Sequence, residues 1–163
     1  QKNVFLAKEM LKKTTSVQIA VSFKPYFYGP FSPEVSNGLD LLIGGGLLKC
    51  HERDLSNDEI EMKQSVYELT DSGRKAFHAI EGKYAELTQC FAEIRGTGNH
   101  ENTRVLAAAA KIRLILSRHE STISKSSLRD EASKLGWKLT PQDVNEAVEV
   151  LVSTRLAGVV SSN

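Results

Sequence analysis

Residues 26–49, YFYGPFSPEVSNGLDLLIGGGLLK, constrain the fold more than any other stretch of the chain. The aromatic run breaks at Gly29-Pro30: proline disfavours helix for the residue before it, and glycine tolerates any φ, so a turn is expected there. Ser32 then stands where a helix N-cap belongs, with Pro33 at the first helical position and Glu34 in the first turn. Val35, Leu39 and Leu42 fall on one stripe, and Gly44-Gly45-Gly46 stop the helix. Leu47 to His51 reads as a strand, residues 52–64 as a polar loop, and SVYEL (65–69) as a second strand. A short helix is planted at a fixed angle and handed directly to a β-hairpin.

The flanking segments complete the pattern. In QKNVFLAKEMLKK, Val4, Phe5, Ala7, Met10 and Leu11 lie near one face of a helix and the lysines mostly off it. SVQIAVSF (16–23) is β-rich and predicts an extended segment. After the hairpin, Thr70-Asp71 and Gly73 open a helix to Arg95. Its apolar residues Phe77, Ile80, Tyr84, Leu87, Phe91 and Ile94 repeat with the spacing of an a/d seam. That seam packs either on its own protein or on a second copy; a homodimer is the partner expectation. GTGNHENT (96–103) is the best linker. Beyond it, TRVLAAAAKIRLILSRH is apolar on most sides, hence a buried helix. A second helix carries Leu128, Ala132 and Leu135, and Gly136-Trp137 turn the chain. Thr140 and Pro141 start a third helix with Val144, Ala147, Val148 and Leu151 on one stripe, and LAGVV can form a strand.

The expected fold is therefore mainly α with a small β-hairpin wing: tandem winged-helix or helix-turn-helix halves joined by a long amphipathic helix. Residues 1–95 form the first domain with its heptad helix, 96–103 the linker and 104–163 the second domain.

The first half resembles a known group. QKNVFLAKEML, then FYGPFSPEV and LDLL with GGLL, then VYELTDSGRKAF, look like the Panacea-type and related small prokaryotic winged-helix proteins. Those proteins show a Leu-Gln-Lys-led helix, a Tyr-Gly-Pro-(Tyr/Phe)-Ser turn and a closing Tyr-x-Leu-Thr-x-x-Gly. The resemblance covers about residues 1–80 and is most specific at Tyr28 to Ser32, supported by Tyr67, Leu69, Thr70 and Gly73. It implies DNA-linked regulation, or an antitoxin or protein-contact role, with no catalytic residues and with a helix preceding Gln1.

Charge is segregated beneath a net of +1. Residues 51–93 hold five Lys/Arg against ten Asp/Glu, and residues 94–138 nine against four. The latter block suits a phosphate backbone or acidic partner; solvated helix faces explain it equally well. Cys50 and Cys90 are isolated, which fits free thiols in a cytoplasmic protein and neither a disulfide framework nor a zinc site. No apolar run approaches the roughly 18 residues of a membrane span, so no membrane partner is expected. His51, His78, His100 and His119 are scattered without HExxH spacing, and Gly44–Gly46 follow a helix instead of preceding one, the wrong order for a phosphate loop. Asp58, Glu59 and Glu61 read as a solvated wing tip. The expectation is a non-catalytic protein with no cofactor and no metal.

Double-stranded DNA is the leading partner. The exposed face of the first presumed reading helix holds Ser36, Asn37 and Asp40, of which Asn37 can pair with adenine. The second holds Gln142, Glu146 and Glu149. Both are neutral or acidic, so phosphate contacts must come from Lys24, Lys49, Arg53 and Lys63 around the first half and Arg118, Lys125, Arg129, Lys134 and Lys138 in the second. The same deficit keeps open a protein-interaction module that does not read DNA.

Overall fold

In the computed structural model, residues 1–14, 19–54, 63–99, 102–119 and 123–158 are described. The chain is mainly helical with two small antiparallel β-hairpins. Its order is α1 (Lys2–Thr14), β1 (Lys24–Tyr26), β2 (Gly29–Phe31), α2 (Pro33–Gly44), β3 (Leu48–Asp54), β4 (Lys63–Leu69), α3 (Asp71–Ile80), a 3₁₀ turn (Glu81–Tyr84), α4 (Ala85–Gly96), α5 (Thr103–Leu116), α6 (Lys125–Lys134) and α7 (Pro141–Ser153). Packing gathers Gln1–Ser32 with Glu86–Asn163 into one unit and Pro33–Ala85 into another. The first helix therefore belongs with the C-terminal half, where the sequence suggested a boundary at 96–103.

In the first unit the centre is α5, which packs on α7, α1, α6 and β2. Its run Ala108-Ala109-Ala110 is buried and presents almost no side-chain bulk, so neighbouring helices approach closely. Around it Leu6 and Leu11 of α1, Ile94 of α4, Ile112, Ile115, Trp137 and Leu151 lose nearly all contact with water. Each such side chain stabilises the fold by about 1.5–3 kcal/mol. A buried ion pair crosses the core: Arg113 Nη2 and Nε donate to Glu9 Oε2 at 2.8 and 3.1 Å, and Lys12 meets the other oxygen at 2.5 Å. Two cations and both carboxylate oxygens are thus matched, which makes the burial of Glu9 tolerable.

The hairpin β1–β2 turns at Phe27–Tyr28, two residues before the expected break at Gly29-Pro30. Its register sets Pro25 against Pro30, so neither partner has an N–H to donate and the ladder is weak. The hairpin is held from outside: Trp137 Nε1 donates to Tyr26 O at 2.7 Å, and Gln1 exchanges two hydrogen bonds with the backbone of Ser32. Gly29, at φ +112°, presses on α5, where a Cβ would stand 3.4 Å from Lys111 Cγ and 3.7 Å from Ala107 O. Of the expected extended segment 16–23, residues 19–23 form no strand and Ser16 lies outside the described residues.

In the second unit, α2 ends as the glycines require. Leu47 N–H bonds to Leu42 O and Gly46 N–H to Ile43 O, with Gly46 at φ +68°, a Schellman stop. β3 and β4 then pair from Leu48↔Leu69 to Asp54↔Lys63. Thr70 closes the unit by accepting from Gly73 N–H and donating to Gly46 O at 2.7 Å. Gly73 is obligatory there, since a Cβ would sit 2.0 Å from Leu47 O. Gly73 is also the only buried residue described in this unit.

The helix expected to run unbroken from Asp71 to Arg95 is instead α3, a 3₁₀ turn and α4. Ile80 stretches to φ −118° while staying in the right-handed helical region, two residues before Gly82, whose helix cost of about 1 kcal/mol favours the break. The seam divides with it. Phe77, Ile80 and Tyr84 are exposed, whereas Ile94 is buried and Leu87 and Phe91 pack against the core of their own unit.

Candidate nucleic-acid interface

Helices α6 and α7 are joined by a turn that the sequence writes explicitly. Gly136 adopts φ +74°, Trp137 N–H bonds back to Ala132 O, and Gly136 N–H to Ser133 O. Leu128, Ala132, Val144, Ala147, Val150 and Leu151 turn inward, which leaves one polar face on each helix. On α7 a capping box fixes the start: Thr140 accepts from Asp143 N–H, and Asp143 Oδ2 accepts from Thr140 N–H at 2.8 Å.

The acidity expected of this face is offset in part. Arg104, at the start of α5, donates to Asp143 Oδ1 and, at 2.6 Å, to Glu146 Oε2. Burial pushes the Asp143 carboxyl up, but the Thr140 hydroxyl and backbone N–H and the Arg104 guanidinium outweigh it and hold its pKa below the ordinary value. What remains outward is Gln142, Asn145 and Glu149, all exposed. Lys125 Nζ donates to Asn145 Oδ1 at 2.8 Å, so a cation of α6 lies directly on this face.

The expected cations divide by unit. Lys24, Arg118, Lys125, Arg129, Lys134 and Lys138 belong to the first unit and all are exposed. Arg129 is one helical turn from Lys125; Lys138 follows the buried Trp137. Neither Arg129 nor Lys138 has an ion pair among the described residues. Lys134 is paired with Glu131 at 2.7 Å, a bond that raises the lysine pKa and lowers the glutamate's. Asn37, Lys49 and Arg53 are exposed in the second unit, Lys49 opposite Glu68 and Arg53 opposite Gln64 in the strand register. The side chain of Lys63 and the acidic loop of Asp58, Glu59 and Glu61 lie outside the described residues. Asn145 and Arg104 are residues of this face that the sequence does not single out. Asn145 was findable from its offset of three from Gln142; Arg104, separated by 39 residues from Asp143, was not.

Two other features bear on chemistry. A cleft of about 270 Å³ is lined by Met10, Glu86, Cys90, Glu93 and Arg155, among others. Burial, with Glu93 and Glu86 nearby, raises the Cys90 pKa, which keeps the thiol protonated and a poor nucleophile. His78 Nδ1 lies 3.1 Å from Glu81 Oε1 on the surface. Among the described residues no helix is long and apolar enough to cross a membrane. No family model, curated protein or solved structure matches the chain.

Proposed function

We propose that the protein is a non-catalytic, double-stranded-DNA-binding regulator built from two helix-turn-helix halves. One half is α5–α6–α7; the other, Pro33–Ala85, offers α2 as its reading helix and β3–β4 as its wing, without α1, which packs in the first unit. The observation that carries this reading is that Arg104 bridges Asp143 and Glu146 and so offsets one of their two charges. The outward face of α7 then carries the amides Gln142 and Asn145 beside the exposed Glu149, with Lys125, Arg129 and Lys138 exposed in the same unit. Amides of this kind pair with adenine N6 and N7 in the major groove, and the cations suit the phosphates on either side.

Mobility shifts on random-sequence duplex at about 50 and 200 mM salt test it. Binding is expected at the lower salt and falls by roughly tenfold or more at the higher if a few phosphates are contacted. Arg129→Glu should weaken binding across all sequences and flatten the salt dependence; Asn145→Ala should cost affinity only on preferred sites. Absence of a shift at low salt abandons the proposal.

A second reading, a protein-interaction module of antitoxin-like or complex-subunit type, is favoured by the apolar surface of the second unit, where Leu41 is 77 % exposed. A homodimer through Phe77, Ile80 and Tyr84 is one form of it. Light scattering should then report a dimer that Ile80→Glu dissociates.

A further inference from the structure

The β1–β2 hairpin carries two of the most exposed large side chains of the protein, Phe27 and Tyr28, each 76 % exposed. Single exposed aromatics are ordinary on protein surfaces. These two differ because everything beneath them is fixed. Pro30 and Ser32 are buried, Gly29 lies on α5, and Trp137 grips the carbonyl of Tyr26. Phe27 leans edge-on against Tyr26 at 4.9 Å, and Tyr26 against Phe31 at 5.3 Å. The tip is a hydrophobic projection whose backbone is held in place, so little backbone freedom is left to lose on binding.

Its surroundings are cationic. Lys24 starts the same hairpin, Lys138 follows Trp137, and Lys111 Nζ lies 5.7 Å from the Trp137 ring. None of the three forms an ion pair among the described residues. Lys111 is half-buried, and burial together with the charge of Lys2 lowers its pKa against the opposing pull of the Asp143 carboxylate, so an arriving anion would relieve the part of the cost that remains. A partner that offers both negative charge and flat apolar faces at one place is a nucleic acid: phosphates for the lysines, bases for the rings. The site also has a direction. Trp137, which anchors the tip, is three residues before Thr140, the N-cap of α7. The hairpin is thus anchored close in the chain to the first turn of α7, the end of that helix that would meet a duplex.

We infer that Phe27 and Tyr28 form a wedge that unstacks a base step of the bound duplex, with Lys24, Lys111 and Lys138 holding the flanking phosphates. Apolar side chains used in this way kink DNA and favour flexible pyrimidine–purine steps. The inference rests on the reading of α6 and α7 as a duplex-binding pair.

The test uses the full chain, duplexes carrying 2-aminopurine at TA steps, and the double variant Phe27→Ala/Tyr28→Ala. Trp137 fluorescence and the thermal midpoint confirm that the variant is folded. Wild-type protein should raise 2-aminopurine emission on binding. The variant should bind about tenfold more weakly, with an unchanged salt dependence and no rise in emission. Lys24→Gln/Lys138→Gln should lower affinity and reduce the salt dependence, yet keep the emission rise at saturation. If wild type binds without any change in emission, or the aromatic variant behaves as wild type, the wedge is refuted while duplex binding by α7 stands. If wild type does not shift duplex at all, the parent reading fails and the wedge with it. Flotation of wild type on phosphatidylserine vesicles that is lost in the aromatic variant, without a DNA signal, would overturn the wedge in favour of a membrane contact.

Discussion

Helices α2 and α7 start alike, one from Ser32-Pro33 and the other from Thr140-Pro141, and each carries an aliphatic ridge. Val144, Ala147, Val150 and Leu151 of α7 are buried, whereas α2 has no buried residue and its Leu41 and Leu42 are 77 % and 40 % exposed. Both helices end in a Schellman stop. The difference lies in what meets the ridge: α7 lies along the alanine-rich α5, while α2, within its own unit, packs chiefly on β3. Local sequence thus specifies that a helix forms and where it ends, and only a distant, small-residue surface decides that it is buried. The first unit is held by a core. The second is held by hydrogen-bonded backbone junctions.

Truncation of the two ridges tests this most severely. Leu151→Ala should cost about 3–4 kcal/mol of the first unit, because it empties a fully enclosed site. Leu41→Ala should cost less than about 0.5 kcal/mol. Urea unfolding followed by Trp137 emission for the first unit, and by amide exchange in β3 and β4 for the second, separates the two. A cost above about 2 kcal/mol for Leu41→Ala, growing with protein concentration, would mean that a second copy covers α2 and would break the comparison.

Gly73→Ala probes the other half of the contrast. Its methyl would overlap Leu47 O, and that carbonyl accepts from Thr70 N–H. The start of α3 must then withdraw from the α2–β3 junction, at about 2–3 kcal/mol to the second unit. Exchange in β3 and β4 should quicken while Trp137 emission stays unchanged.

What the sequence discloses follows the distance over which each signal acts. Thr140 and Pro141 are adjacent, as are Gly136-Trp137 and Gly44–Gly46; the structure holds these starts and stops at the expected residues. The turn of the first hairpin is displaced from the local Gly29-Pro30 signal, and its backbone is gripped by Trp137, 111 residues away. The heptad pattern conceals the break at Glu81–Tyr84, since apolar spacing continues straight through Gly82. Placement of α1 beside α5 depends on Glu9 and Arg113, separated by 104 residues. The candidate site divides in the same way. Lys125, Arg129 and Lys138 were legible as exposed cations, but the bridging of Asp143 and Glu146 by Arg104 has no trace in spacing.

Only α7 has a carboxylate at the third helical position; the corresponding residue of α2 is Val35. This makes the first unit the acid-sensitive one. The folded pKa of Asp143 lies below its ordinary 3.8, so its contribution is present above that value and is lost as pH falls through the folded pKa. Asp143→Asn should therefore be less stable than wild type by about 1–2 kcal/mol at pH 7, the range of a lost helix cap. The gap should narrow as pH drops below 3.8. Chemical unfolding from pH 7 to 3 with Trp137 as reporter measures it, and a gap independent of pH would assign the loss to packing.

The two ridges also differ in how they finish, and here α7 is the poorer. The left-handed residue that closes α2 is Gly46 and that closing α6 is Gly136, but α7 closes on Arg155 at φ +58°. A side chain in that conformation costs about 1–2 kcal/mol. The strain persists because the carbonyls are gripped from outside: Lys13 Nζ donates to Arg155 O at 3.1 Å and Arg113 Nη1 to Leu156 O at 3.4 Å. Both bonds go to backbone and survive substitution. Arg155→Gly should relieve the strain, lose part of the gain to the greater freedom of glycine in the unfolded chain, and stabilise the first unit by about 0.5–1 kcal/mol. That is a rise of about 2–4 °C in midpoint for each kcal/mol. A fall in midpoint instead would mean that the Arg155 side chain itself, at the rim of the Cys90 cleft, makes the contact that holds the helix end in place.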